Sequence, residues 1–270
     1  MLFFYLIVLK ITSHSPRFRR FFWRSSYQYL ARKYPTHSLT FMNYGYAPPT
    51  KEPPLTLKKE DEPNRYFIGL YHHIASAIDL ENKNVLEVGC GRGGGASYIT
   101  RYLKPAQLTG IDISSEAVSF CRAQHPIQNL SFETGDAEAL PFQAHHFDTV
   151  VNIESSHCYG SLETFFQEVY RVLRPKGHFL FADFRPTQNV TKMRNLLLQA
   201  GFSIRQEEDI TAPVVLALEL DNDHKQTLIH NFAEPKLVQS IEQFAGLTGT
   251  RPHTYLKNGT WRYMRFVLQK

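Results

Sequence analysis

The sequence has 270 residues, 43% of them hydrophobic and 20% charged, which suits one large globular domain or a core with an added cap and excludes disordered, collagen-like and coiled-coil chains. Three cysteines, Cys90, Cys121 and Cys158, are too few and too scattered for a disulfide framework, and no Cys/His cluster has metal-ligand spacing, so a reducing cytoplasm is the expected setting and no metal is implied. The net charge of +5 is uneven: residues 1–51 hold eight Lys/Arg and no Asp/Glu, against 22 basic and 25 acidic residues beyond, which argues against nucleic-acid binding by the body and confines attraction for anions to the N-terminal arm.

The arm opens with MLFFYLIVLK, an apolar run about half the ~20 residues that a membrane-spanning helix needs. Its positive charges follow the run instead of preceding it, unlike those of a secretory signal. From Phe18 to Tyr34 large rings interleave with Arg19, Arg20, Arg24, Arg32 and Lys33, the pattern of a helix with one apolar and one basic side. Such a helix lies on an anionic membrane surface or packs as a cap on its own body, and the pattern leaves both open. Pro48, Pro49, Pro53, Pro54 and Pro63 mark a linker over about 47–64, so residues 1–64 read as arm and linker.

A helix from Tyr66 to Ile78 is predicted to open the body. Strands follow at 84–88, 107–112, 129–133, 147–153 and 178–184 with helices between them, the alternation of a parallel α/β sheet. Ser114 or Ser115 caps one helix; Ser161 caps another, in which Leu162, Phe165, Phe166, Val169 and Leu173 recur at helical spacing before Pro175 stops it. Beyond Asp183 come a helix closed by Gly201, an extended FSIRQEEDIT, a mostly helical insertion over about 212–256 and a final strand, WRYMRFVLQK. The expected architecture is a doubly wound sheet of about seven strands, the last antiparallel. Residues 65–185 form its core, and residues 186–270 carry a helical cap over the strand ends.

Chemistry concentrates at Glu87-Val88-Gly89-Cys90-Gly91-Arg92-Gly93-Gly94-Gly95, where a buried strand runs into a glycine turn that opens a helix. Such a turn lets a cofactor approach the backbone, with helix N–H groups facing it. Alone it is ambiguous, since Gly89, Gly91 and Gly94 also satisfy the GxGxxG of a dinucleotide fold, and a purely structural turn fits as well. Asp112, 23 positions after Gly89 at the end of the next strand, can accept both ribose hydroxyls of a nucleoside, with Ile113 beside it. Glu87, just inside the turn, and Gly135-Asp136-Ala137-Glu138, where an acid could meet an adenine amino group, favour a cofactor other than NAD.

In their joint order these segments, with Phe147-Asp148 and Leu173-Arg174-Pro175-Lys176-Gly177, resemble the class I S-adenosylmethionine-dependent methyltransferases over about residues 80–185. The resemblance extends to the methyltransferases of mycobacterial phthiotriolone and phenolphthiotriolone dimycocerosates, and more loosely to natural-product sugar O-methyltransferases. It is carried by Phe41-Met42-Asn43-Tyr44-Gly45-Tyr46, Asp61-Glu62-Pro63-Asn64-Arg65, Asn152-Ile153-Glu154-Ser155-Ser156-His157 and Ala182-Asp183-Phe184-Arg185-Pro186. It implies a Rossmann-like seven-stranded fold with S-adenosyl-L-methionine as cofactor. Gly89, Gly91 and Gly93 would cradle the methionine part, Asp112 the ribose, and Asp136 and Ala137 would border the adenine. Asn152 would face the cofactor, and Tyr44 or Tyr46 would close over it.

Methyl transfer to a neutral hydroxyl needs a base as well as alignment. His157 and Asp183 both fall at strand carboxyl ends, where open α/β sheets bind ligands, and imidazole can accept a proton near neutral pH while a carboxylate orients it. Their separation of 26 residues also resembles the His and Asp pair of the sugar O-methyltransferases. A loop-bonding His and a helix-capping Asp are the plainer alternative. The expected reaction is O-methylation of a hydroxyl on a hydrophobic lipid, polyketide or other small molecule. N- or C-methylation, a dinucleotide-dependent oxidoreductase and a silent cofactor-binding module are the rivals.

Overall fold

A computed structural model of the protein describes residues 28, 33, 39–48 and 55–270. The apolar N-terminal run, most of the expected basic aromatic helix and the middle of the proline-rich linker lie outside them. The far end of the expected loop or linker takes up regular structure. Lys59–Asn64 is a 3-10 helix whose buried Asp61 accepts hydrogen bonds from Arg101 at 2.6 and 2.8 Å and from Tyr102 at 2.6 Å, which anchors the segment to the body.

Five mutually parallel strands, β1 (Asn84–Val88), β2 (Gln107–Asp112), β3 (Leu130–Thr134), β4 (Phe147–Ile153) and β5 (Leu173–Pro186), form one sheet with β6 (Ser203–Asp209) and β7 (Trp261–Gln269). Its order is β3-β2-β1-β4-β5-β7-β6, with β7 antiparallel to both neighbours. This is the doubly wound, Rossmann-like sheet anticipated from the sequence.

The central strands read as continuous apolar runs because helices cover both of their faces. Neighbouring residues of β1 point to opposite sides: Val85 joins a core with Leu70 and Ile74 of α1 (Arg65–Ala75), Ala96 and Tyr98 of α2 (Gly94–Tyr98), and Val118 and Cys121 of α3 (Ser115–Gln124). Leu86 joins the other, with Phe165 and Val169 of α4 (Leu162–Val172) and Met193 and Leu197 of α5 (Thr187–Gln199). The serine caps form, Ser114 Oγ accepting from Ala117 N at 3.2 Å and Ser161 Oγ from Thr164 N at 3.1 Å.

Several boundaries differ from the sequence pattern. Helix α1 stops at Ala75, and α4 stops at Val172 because Leu173 already pairs with Phe147 in the sheet. The register then shifts before Thr149 meets His178, with Lys176 in the left-handed region at φ 65°, so β5 absorbs the whole Arg-Pro-Lys-Gly segment as an irregular start. The insertion resolves into α6 (Thr211–Leu220), α7 (Asn222–Phe232), α8 (Pro235–Ala245) and α9 (Arg251–Lys257), and Val214, Leu218 and Leu256 join the same core as Val85.

Candidate active site

The chain turns sharply at the carboxyl end of β1. Gly89, Gly91 and Gly93 have φ of 73°, 54° and 77°, a run that side chains with a Cβ rarely adopt. A Cβ on Gly89 would stand 2.4 Å from Ser155 Oγ and 2.7 Å from Tyr159 OH, whereas one on Gly91 would meet only the Met42 methyl. Gly93 and Gly95 instead serve packing, facing His125 with Cys121 and the Tyr71 ring respectively.

Asp112 lies half-buried at the end of β2, its two oxygens accepting from Gly91 N at 3.0 Å and Ser114 N at 2.9 Å. Removal from water pushes its carboxyl up to about 6, against the opposing pull of the Ser114, Gly91 and Ile113 N–H groups. Gly135 N donates to Asp112 O at 3.0 Å, which sets Asp136 and Ala137 just beyond, both half-buried, with Asp136 Oδ1 accepting from Glu138 N at 2.9 Å. Glu87 is buried and accepts from Tyr71 OH at 2.8 Å through one oxygen; the other has no hydrogen-bond partner. Burial raises its carboxyl to about 8, which the Tyr71 bond opposes and the Asp112 charge reinforces. Asn152, also buried, donates from Nδ2 to Val88 O at 2.8 Å and to Tyr159 OH at 3.0 Å, and its Oδ1 is likewise without a partner.

On the next strand ends stand His157 and Asp183. His157 occupies a 3-10 turn, Ser156–Cys158, after β4; Asp183 lies within β5, which continues two residues past the expected end to Pro186. His157 Nδ1 meets Asp183 Oδ1 at 2.9 Å, and the His157 N–H donates to Asp183 Oδ2 at 2.9 Å. Asp183 is completely buried and also accepts from Ser156 Oγ at 2.6 Å and Phe184 N at 2.8 Å, with Arg185 Nη1 at 3.1 Å. Burial opposes its ionisation, but Arg185, His157 and Ser156 outweigh that and hold it well below the usual carboxylate range. His157 is raised well above its ordinary value: burial works against the imidazolium, and Cys158 and Asp183 more than offset it.

Segment 39–48 covers this end of the sheet, pinned by main-chain bonds on every side. Thr40 O accepts from Gly94 N at 3.2 Å, Tyr46 N donates to Tyr66 O at 2.9 Å, and Ala47 N donates to Pro213 O at 3.1 Å. The two tyrosines part company. Tyr44 stacks on Phe184 at 5.3 Å, and Phe184 lies 4.5 Å from the His157 ring, whereas Tyr46 stacks on His73 of α1 at 4.2 Å. Glu154, not singled out from the sequence, accepts from Tyr44 N and Tyr263 OH at 2.9 Å each. Burial raises it to about 8, against those two bonds and the nearby His157.

The model of a family described as methyltransferase domain matches residues 86–181, from within β1 to within β5. A fatty-acid O-methyltransferase of Mycolicibacterium smegmatis is 39% identical over 246 residues, covering 90% of this chain and 88% of that protein. The chain belongs to the S-adenosylmethionine-dependent methyltransferases. A phthiotriol/phenolphthiotriol dimycocerosates methyltransferase of Mycobacterium leprae is 37% identical, covering 92% of each chain. The fold of the [4+2]-cyclase SpnF superposes with a TM-score of 0.68 at 20% identity, over 92% of this methyltransferase and 94% of that chain. The donor set suits S-adenosylmethionine: Glu87 and Asn152 each present a buried oxygen without a partner, and a Cβ at Gly89 would fill the space before Ser155 and Tyr159. Family membership rules against the dinucleotide-dependent oxidoreductase.

Proposed function

We propose that this methyltransferase methylates an oxygen of a hydrophobic lipid-like or polyketide-like acceptor, with His157 as general base. The observation that carries the reading is the 2.9 Å contact of His157 Nδ1 with the fully buried Asp183 at the carboxyl ends of β4 and β5. When bound, S-adenosylmethionine supplies an electrophilic methyl group on a sulfonium. Glu87, Gly89, Gly91 and Asn152 would hold its methionine part, Asp112 and Ile113 the ribose, and Asp136 and Ala137 the adenine. An ionised Asp112 has lone pairs beyond those given to Gly91 and Ser114, which suits ribose hydroxyls.

Asp183 fixes the imidazole through Nδ1, so the acceptor proton passes to Nε2 as the oxygen is methylated. Arg185, Ser156 and two backbone N–H groups keep Asp183 ionised, so it orients the ring and does not itself take the proton. Phe184, with Tyr44 on one contact and Trp261 at 5.1 Å on another, gives the acceptor an aromatic wall. The lipid substrates named for both curated relatives support an apolar acceptor.

The raised His157 favours a second acceptor class. The upward shift biases the ring towards imidazolium beside a Glu154 kept protonated by burial, which suits an anionic carboxylate that needs no base. The pH dependence of kcat separates the two, read with a long-chain alcohol and a long-chain fatty acid as acceptors. With a hydroxyl acceptor kcat rises as pH passes upward through the elevated His157 value, because only the neutral ring accepts a proton. With a carboxylate it falls over the same range. In the hydroxyl case His157→Ala should lower kcat by about 10²- to 10⁴-fold; retention of full rate by that variant on both acceptors would remove His157 from the mechanism.

A further inference from the structure

The peptide of Tyr44 is gripped from both ends. Glu154 Oε2 takes its N–H at 2.9 Å, and Lys225 Nζ donates to its carbonyl oxygen at 2.9 Å. The two side chains come from distant places, the turn after β4 and helix α7 of the insertion. Lys225 is only 4% exposed, a rare depth for an ammonium group. Burial lowers it to about 8, opposed by Asp221 and Glu154, and its Nζ stands 4.8 Å over the Phe67 ring. Packing alone gives no reason for a cation here, since an apolar side chain of similar length would fill the space without desolvating a charge. The opposing grip is equally fixed: Glu154 sits at φ 51°, and the same Oε2 also accepts from Tyr263 OH at 2.9 Å.

We propose that Lys225 is a positioning residue that fastens segment 39–48 shut over the cofactor site. By holding the Tyr44 carbonyl it keeps the Tyr44 ring stacked on Phe184, and it ties the cover of the cofactor to the helical insertion that roofs the acceptor side. Ligand release then requires that this hydrogen bond open first. The inference rests on the reading that segment 39–48 covers the cofactor.

The test uses the full chain with S-adenosylhomocysteine as probe, its dissociation rate followed by stopped-flow displacement and its affinity by calorimetry. Lys225→Met keeps the aliphatic stem and loses the donor, and is expected to release the probe about tenfold faster, the rate equivalent of about 1.4 kcal/mol. Lys225→Arg, which restores a donor, should return release towards the wild-type rate. A lysine with a structural role only would move the melting temperature and leave release unchanged, so wild-type release from a folded Lys225→Met overturns the proposal. Should Lys225→Met not fold, hydrogen exchange at the Tyr44 amide of the wild type decides: strong slowing by the probe supports the clasp, and equal exchange with and without it overturns it. An Asp112→Ala variant that binds the probe as tightly as wild type would instead defeat the underlying cofactor-site reading.

Discussion

Glu87 shows how a single side chain at this site stores a functional bias. Burial lifts its carboxyl to about 8, so between its ordinary value of 4.5 and about 8 the unfolded chain ionises the group while the folded, ligand-free protein keeps it protonated. The unfolded state therefore holds fewer protons in that window, and stability falls as pH rises through it. Glu87→Gln, which retains an acceptor for Tyr71, should be more stable than wild type by about 2 kcal/mol near pH 8 and close to it near pH 5, the scale of one uncompensated buried carboxyl. Melting temperatures across pH check this, and parallel curves for the two proteins would refute it. At the same scale, sequence reading was uneven for a definite reason. Glu87, Asp112 and Asp183 lie near the carboxyl ends of strands and His157 just after one, and apolar runs mark where those strands end, so their convergence is legible. Glu154 and Lys225 act on main-chain atoms of Tyr44 that lie 110 and 181 positions away, and a backbone partner leaves no side-chain signature.

Among the elements, α2 is the most exposed to small changes. It has only five residues, Gly94–Tyr98, all buried, and it seats the glycine turn against α1. An added Cβ at Gly95 would fall 1.9 Å from the Tyr71 ring, the same ring whose hydroxyl bonds Glu87. Gly95→Ala should therefore destabilise the protein by about 1–3 kcal/mol, as overpacking does, and should also weaken S-adenosylhomocysteine binding by moving Tyr71. Urea unfolding and calorimetry measure the two effects; an unfolding midpoint equal to wild type would show that α1 yields freely. The glycines were legible as a turn, but their division of labour was not. A Cβ on Gly89 would meet the hydroxyls of Ser155 and Tyr159 and one on Gly91 the Met42 methyl, whereas Gly93 and Gly95 accommodate packed rings, and that difference depends on which neighbours the fold brings up. The 3-10 turn at Lys59–Asn64 was hidden for a similar reason: its prolines signalled a loop or linker, while the deciding contact is Asp61 with Arg101, forty positions on.

For the molecule as a whole, cofactor and fold are coupled by mass action. A ligand that binds only the folded state at one hundred times its dissociation constant adds about 2.7 kcal/mol of stability, enough to raise the melting temperature by several degrees in a domain of this size. S-adenosylhomocysteine should do so for the wild type and much less for Asp112→Ala at the same concentration, as thermal melts would show; equal shifts would displace Asp112 from the binding role. The parallel part of the sheet was readable because strands with apolar runs of the right length alternate with helices, whereas the polar β6 takes its place only through pairing with β7. The start of β5 was not readable, since Pro175 and Gly177 suggest a loop where the sheet has already begun.

Strand β7 comes last in sequence yet lies between β5 and β6, pairing nine residues of β5 from His178 to Pro186. During synthesis, then, β5 and β6 must wait apart until residues 261–269 have left the ribosome. A nascent chain interrupted before Trp261 carries two bare strand edges and an empty seat for Tyr263 and Phe266, a sticky intermediate of the kind chaperones hold. Closure of the sheet is therefore a late event of assembly, since β5 and β6 are joined only through β7.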